Sequence, residues 1–287
     1  MAVDRIPTGD EKVLARDYAV SFGGNAVTAA FCCAHLGFVP DLLCNSTTDW
    51  SGRMFADMVR QYGLYWHERR VARFSVSFIH PINGQRTIER WRDEDYLHGF
   101  PHLNLDGCKA VHVDGLQIDA ALHYLREARN RKILTSLDGG SLRENMEELL
   151  SLTDIAIVSE RLCEQMGLTP EKMLKHLHRK GCVVRGVTLG ERGMLWAELN
   201  GESRILPALS VPASKVVDTS GAGDVFHGAY IYSYLTWSDR PWEDHFRFAR
   251  AAAAHAVQHL GNEASLPSVA DVETAMRDFS ESRARAA

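Results

Sequence analysis

The chain has 287 residues, 45% of them apolar and 24% charged, with a formal net charge of −5. That length suits one large α/β domain, or one domain with a small appendage, and the charge balance argues against a nucleic-acid partner. No apolar run approaches the roughly 18–20 residues of a membrane helix, and the N-terminus MAVDRIPTGDEKV has no apolar signal core, so a cytoplasmic protein is expected. The six cysteines (Cys32, Cys33, Cys44, Cys108, Cys163, Cys182) lack zinc-type spacing and read as small buried apolar residues.

Strand and helix patterns alternate along most of the chain, which predicts a mainly parallel sheet with helices on both faces. Lys12 to Ala19 is a candidate strand. Residues 25–36 form a small-residue helix after Gly23-Gly24, and residues 51–62 place Phe55, Met58, Val59 and Tyr62 on one helical face. In residues 71–80 (VARFSVSFIH), Ala72, Phe74, Val76 and Phe78 alternate with Arg73, Ser75 and Ser77, the pattern of a half-buried strand. The Asn-Gly pair of Pro81-Ile82-Asn83-Gly84 signals a hairpin turn, and residues 85–91 (QRTIERW) return beside it. These pieces predict a small antiparallel sheet set apart from the core. Further strands are expected at 110–114, 133–138, 154–159, 183–189 and 194–199. Helices are expected at 118–130, near 141–151, near 160–167, and at 222–236 and 242–260.

The stretch that carries chemistry is VVDTSGAGDVFHGAY, residues 216–230. Gly221, Ala222 and Gly223 have almost no side chain, so backbone can approach a ligand closely. A glycine-rich turn at a helix start presents unpaired N–H groups and the positive end of the helix dipole, which together bind anions. Such donors stabilise the charge that spreads over a phosphoryl group in transfer. Asp224, just past them, is placed to accept the proton of an attacking hydroxyl. A bare Gly-x-Gly reads as a plain strand-to-helix turn. Asp218 and Asp224 bracketing the glycines at fixed spacing is a more specific pattern.

Residues 218–224 resemble the C-terminal signature of the ribokinase-like (pfkB) carbohydrate kinase family, and the likeness covers nearly the whole chain. Gly23-Gly24 with His35-Leu36-Gly37 resembles the family's N-terminal signature. Asp49-x-x-Gly52 resembles its Asp-x-x-Gly element, and Val187-Thr188-Leu189-Gly190-x-x-Gly193 its nucleotide-side loop. Segments SLDGG (136–140), VSE (158–160) and DVFHGA (224–229) are most similar to the ketohexokinase and sulfofructose kinase branch. The resemblance implies a three-layer ribokinase-like α/β fold with a mainly parallel central sheet and a small antiparallel β lid. Residues 1–20 and 70–98 would form that discontinuous lid, and 21–69 with 99–287 the nucleotide- and sugar-binding core. It also implies ATP and Mg2+ as cofactors, a small sugar as substrate, and a homodimer contact through the lid. Asp224 would be the base and Gly221, Ala222 and Gly223 the anion hole. Thr188, Gly190 and Gly193 would line the ATP site, with Asp218 and Thr219 ordering the phosphate and metal region. Gly23, Gly24 and Asn25 would lie near the sugar.

The chain departs from the family pattern in three places. Val3 to Pro7 resembles the segment after the family's opening strand, and Asp4 is not the sugar-binding Asp of that strand, so a mis-called start is expected. The Asn-x-x-Glu metal motif would fall at Ser159 to Leu162 and is absent, with Glu160 shifted by two positions; metal ligands stay unassigned. The family's substrate Asn is Thr28 here, which reads as helix packing.

Lys12 resembles the sulfonate-side lysine of sulfofructose kinase, but Arg90 and Leu116 do not complete that set. Arg90 and Arg92 flank Trp91; turned inward they favour an anionic acceptor, turned outward they are a solvated strand face. Asp114 and Asp138 end strands, where they touch ligand or cap the next helix. His227 reads as a packed helix residue. A nucleoside kinase of the same fold and a nucleotide-binding sensor without turnover are the alternatives to a sugar kinase.

Overall fold

The computed structural model describes residues 1–82, 85–199 and 201–281. The chain divides into two compact units. One comprises Met1–Leu103, Val211–Ala229 and Ala251–Arg277; the other comprises Asn104–Ser210, Tyr230–Arg250 and Asp278–Ala287.

In the first unit, α1 (Asn25–His35) starts behind Gly24 at φ 111, a left-handed value that favours glycine. It lies against the first half of α7 (Ala222–Thr236). A Cβ on Gly228 would stand 2.5 Å from the Ala29 carbonyl oxygen and 2.8 Å from the Cys32 Cβ, so the two backbones touch there. The buried Cys32 and Cys33 thiols donate to the carbonyls of Val225 and Gly228 at 3.6 and 3.2 Å. Helix α2 (Trp50–Tyr62) is capped by Asp49, whose carboxylate accepts from the Gly52 amide at 2.8 Å and the Thr47 hydroxyl at 2.7 Å. The Asp49-x-x-Gly52 element is therefore an N-cap, and Gly52 is required because a Cβ would stand 2.3 Å from the Thr47 carbonyl oxygen.

The core of this unit is aromatic. Phe22 stacks on Phe31 at 3.9 Å, Phe31 meets Tyr62 at 5.3 Å, and Phe55 meets Trp66 at 5.1 Å. Each fully buried phenylalanine contributes about 1.5–3 kcal/mol. A parallel pair, β1 (Asp41–Ser46) and β2 (Tyr65–Arg70), completes the core; neither strand is foreseen by the sequence pattern.

Strands β3 (Val76–Ile82) and β4 (Gln85–Trp91) form the expected antiparallel hairpin, with Val76 opposite Trp91 and Pro81 opposite Arg86. The Asn83-Gly84 turn lies outside the described residues. Two expectations are corrected here. The first arm begins at Val76, five residues later than its alternation suggests. Local side-chain bonds replace the ladder before it: Asp93 accepts from the Arg73 amide at 2.8 Å, and Ser75 accepts from the Asp93 amide at 3.1 Å. Nor is Lys12 to Ala19 a strand, since its segment makes only an isolated bridge between Ala2 and Asp17. Leu14 and Tyr18 are 93% and 72% exposed, so no burial fixes a register there. The apolar face of the hairpin is open as well, with Phe78 56% exposed.

The second unit holds a six-stranded sheet in the order β10-β9-β8-β7-β6-β5. Strands β5 (Ala110–Val113), β6 (Leu134–Gly139), β7 (Ile155–Ser159) and β8 (Val184–Thr188) are parallel. Strands β9 (Met194–Glu198) and β10 (Arg204–Leu206) run antiparallel. From one face Leu137, Val158, Val187 and Leu195 pack under α3 (Ile118–Asn130), α4 (Met146–Ser151), α5 (Glu160–Gln165) and α6 (Pro170–Arg179). On the other, Trp196 meets Phe246 of α8 (Trp242–Ala256) at 5.2 Å, and Ser136 bonds to the Tyr230 hydroxyl at 2.6 Å. Helices cover both faces, as the alternation predicts. Helix α6, strand β10 and a last helix, α9 (Val269–Asp278), are additions to the expected set. Among the described residues no helix is long and apolar enough to cross a membrane, and none of the six cysteines is in a disulfide.

Candidate active site

Helix α7 begins where the sequence predicts, at Ala222. Gly221 before it has φ 74, a value that favours glycine, and the chain turns there into the helix, whose first N–H groups have no intrahelical acceptor. The first intrahelical bond runs from the Val225 amide to the Gly221 carbonyl at 2.8 Å. No described residue accepts a hydrogen bond from the amides of Gly221, Ala222 or Gly223. Asp224 follows in the first turn, partly exposed.

The loop is held from behind. Asp218 is 4% exposed; its carboxylate accepts from the Ser220 amide at 2.8 Å and the Gly261 amide at 3.3 Å. The amides of Val217 and Asp218 donate to the Val257 carbonyl at 2.9 and 3.2 Å. Asp218 therefore ties the glycine turn to the chain after α8. The next residue along, Asn262, is the hub. Its side-chain amide donates to the Phe22 carbonyl at 3.0 Å and the Thr28 hydroxyl at 3.2 Å, and its backbone amide donates to the Ser21 hydroxyl at 3.1 Å. Its Oδ1 stands 2.4 Å from where a Cβ on Gly221 would be, and its Nδ2 stands 3.9 Å from one on Gly23. One buried side chain thus brings the Gly23-Gly24 turn beside the Gly221 turn. Thr28, fully buried, is its anchor.

The hairpin also reaches this loop. Arg86 on β4 donates from Nη1 to the Thr219 carbonyl at 2.9 Å. Arg90 donates instead to Ser77 on the facing strand at 3.0 Å, and Arg92 pairs with Glu94 at 3.3 Å. Lys12 is exposed on the N-terminal segment and makes no bond to these residues. Asn25 opens α1, directly after the glycine pair. His227, one turn past Asp224, is 4% exposed, and burial pushes its pKa down to about 3, so it is neutral at neutral pH.

The nucleotide-side loop belongs to the second unit. Thr188 ends β8, and residues Gly190–Arg192 make one 3₁₀ turn into β9. Gly193, at φ 94, is pressed against β10: a Cβ would stand 2.1 Å from the Leu206 carbonyl oxygen. Gly190, at φ 61, faces open space. Glu160 clamps this turn through both carboxylate oxygens, 2.5 and 2.6 Å from Arg192 Nη2. That pairing gives Glu160 a structural partner within the turn. Among the described residues no group of three or more His, Cys, Asp or Glu side chains is placed to hold a metal ion.

Sequence reasoning missed Asn262, Arg86 and Ser220. An asparagine near a late Gly-Asn pair was the available signal for the first; nothing local marks Arg86.

Comparison with known proteins gives the family and the fold. Residues 1–269 match the model of the pfkB family carbohydrate kinases. A ribokinase of Haemophilus influenzae is 33% identical over 128 residues, which are 42% of this chain and 40% of that protein. A mouse ketohexokinase is 25% identical over 257 residues, covering 80% of this chain and 83% of that one. The structure of Arabidopsis thaliana ribokinase complexed with ribose and ATP superposes with a TM-score of 0.80 at 22% identity, over 97% of this chain and 95% of that one. The fold is therefore the ribokinase-like α/β fold. The class is a phosphotransferase with an alcohol group as acceptor, and the chain belongs to the pfkB family of carbohydrate kinases.

Proposed function

We propose that this protein transfers the γ-phosphoryl group of ATP to a hydroxyl of a small free sugar. The observation that carries the reading is the set of three open amides, Gly221 to Gly223, beside the Asp224 carboxylate at the start of α7. Asp224 takes the proton of the acceptor hydroxyl as its oxygen bonds to the γ-phosphorus. The bond to the bridging oxygen breaks, and its electron pair leaves on ADP. The three amides donate to the phosphoryl oxygens, where charge accumulates.

Gly23, Gly24 and Asn25 serve the sugar in this reading, and Thr188, Gly190 and Gly193 the nucleotide. Asp218 and Thr219 act by ordering the turn. Mg2+ supplies charge neutralisation when it arrives on the nucleotide phosphates, its usual ligands; the described carboxylates do not form a cage for it. The β3–β4 hairpin acts as a lid that keeps water from the acceptor side, and its exposed Val76, Phe78 and Trp91 suit a contact with a second copy. A cytoplasmic setting fits the need for ATP.

The acceptor is drawn from the sugars that relatives' names suggest, ribose or a ketohexose, with the segments 136–140 and 224–229 favouring the ketose. ADP release measured over ribose, ketoses, sugar acids, adenosine and inosine tests this. Stimulation by a free sugar is expected. Stimulation by nucleosides alone contradicts the acceptor class, and no stimulation by any hydroxyl compound contradicts turnover.

A further inference from the structure

We propose that Arg86 is a catalytic arginine, carried to the phosphoryl site by the β3–β4 hairpin, where it adds full positive charge to the open amides of Gly221 to Gly223. This rests on the phosphotransfer reading above and adds a residue to it.

The position comes from one long-range bond. Arg86 Nη1 lies 2.9 Å from the carbonyl oxygen of Thr219, 133 positions away in the chain. Thr219 is two residues before Gly221, and two residues span at most roughly 7 Å. The guanidinium therefore sits within about 10 Å of the glycine turn.

The chemistry comes from what Arg86 does not do. A guanidinium has five N–H donors. Among the described residues, Arg86 makes this single bond to a neutral carbonyl, and no carboxylate pairs with it. The other arginines on or flanking the hairpin are engaged: Arg90 with Ser77, Arg92 with Glu94, and Arg73 stacked over Trp91 at 4.3 Å. A carbonyl is a weak partner for a guanidinium compared with a phosphate, which it can bind through two parallel bonds.

The electrostatics of the loop call for such a cation. Asp218 and Asp224 place two carboxylates within seven residues of chain. A helix N-terminus offsets only about half a unit charge. An incoming phosphoryl group would add more negative charge, and Arg86 is a cation in direct contact with this loop. The Ser220 hydroxyl, in a residue 6% exposed, has no hydrogen-bond partner among the described residues and supplies one further donor in the same turn. During transfer the acceptor oxygen–phosphorus bond forms, the bond to the bridging oxygen breaks toward ADP, and the proton goes to Asp224. Arg86 donates hydrogen bonds throughout and is not consumed. Because it rides on the hairpin, its charge arrives together with the cover over the acceptor.

The test compares the full-length wild type with Arg86→Gln, which keeps an N–H donor for the Thr219 carbonyl and removes the charge, and with Arg86→Lys. The first measurement needs no acceptor: the affinity for ADP with aluminium fluoride, a mimic of the phosphoryl group in flight, against the affinity for ADP alone. The Gln variant is expected to bind ADP as the wild type does and to lose at least tenfold in affinity for the mimic. Equal affinity for the mimic overturns the proposal. The second measurement is turnover with the best acceptor of the panel, where kcat is expected to fall about 10²–10³-fold with the acceptor KM little changed, and the Lys variant to recover part of it. A rise in KM for acidic acceptors with kcat intact overturns the proposal in favour of acceptor selection. A wild type that binds the mimic yet turns over no acceptor counts against the sugar-kinase reading alone.

Discussion

Replacing Gly221 by alanine tests the architecture of the site in one step. At φ 74 an alanine sits in the left-handed region, at about 1–2 kcal/mol. Its methyl carbon would stand 2.4 Å from Asn262 Oδ1, so the Asn262 side chain must turn away. That breaks its bonds to the Phe22 carbonyl and the Thr28 hydroxyl at 3.0 and 3.2 Å, each worth about 1 kcal/mol net. Alanine also restricts the unfolded chain, which returns up to about 1 kcal/mol. The sum is a loss of about 3 kcal/mol. Urea unfolding followed by circular dichroism reads it directly. In an Asn262→Ala background the clash is gone, and the same substitution should cost only the backbone term less the same unfolded-chain return, about 1 kcal/mol. An equal cost in both backgrounds, or a Gly221→Ala protein as stable as the wild type, refutes the role given to Asn262.

Two further outcomes follow from buried and capping groups. Burial holds the His227 pKa down at about 3, whereas in the unfolded chain it titrates near 6.5. The unfolded state thus binds one more proton in that window, and stability should rise with pH by about 1.4 kcal/mol per unit between the two values, with the full contribution present above 6.5. Urea unfolding at several pH values should show this slope reduced by one proton in His227→Gln; an unchanged slope argues against a neutral buried imidazole. Asp49→Ala should lose about 1 kcal/mol of stability through the α2 cap, and Asp49→Asn less. The Gly52 amide, then the Thr47 hydroxyl, hold the Asp49 carboxyl below its ordinary value of 3.8. The cap is therefore intact above that value and weakens as pH falls through the lowered one; a cap that fails at neutral pH would contradict it.

The glycine turn and α7 were legible because their signals are local. Gly221, Gly223 and the two carboxylates lie within seven residues, and the helix limits 222–236 follow from the apolar run behind them. The second arm of the hairpin, 85–91, was legible through its partner and the Asn-Gly pair. Strands β1 and β2 were not: DLLCNS and YWHERR show no clean alternation, and their pairing joins residues far apart in sequence. Asn262 and Arg86 escaped for the same reason. Asn262 acts on Phe22 across 240 positions, and Arg86 on Thr219 across 133, so no window of neighbouring residues marks either. The apolar alternation of 76–78 was read correctly as a strand and wrongly as half-buried, because alternation reports a face and not what covers it.

The most direct test of the phosphotransfer account is single-turnover kinetics of Asp224→Asn with ATP and the best acceptor of the panel. The substitution keeps the side chain's size and removes its capacity to take a proton. Phosphoryl transfer should slow about 10²–10⁴-fold while the affinity for ATP stays within about threefold of wild type. Transfer at the wild-type rate would contradict the assignment of Asp224 as the base.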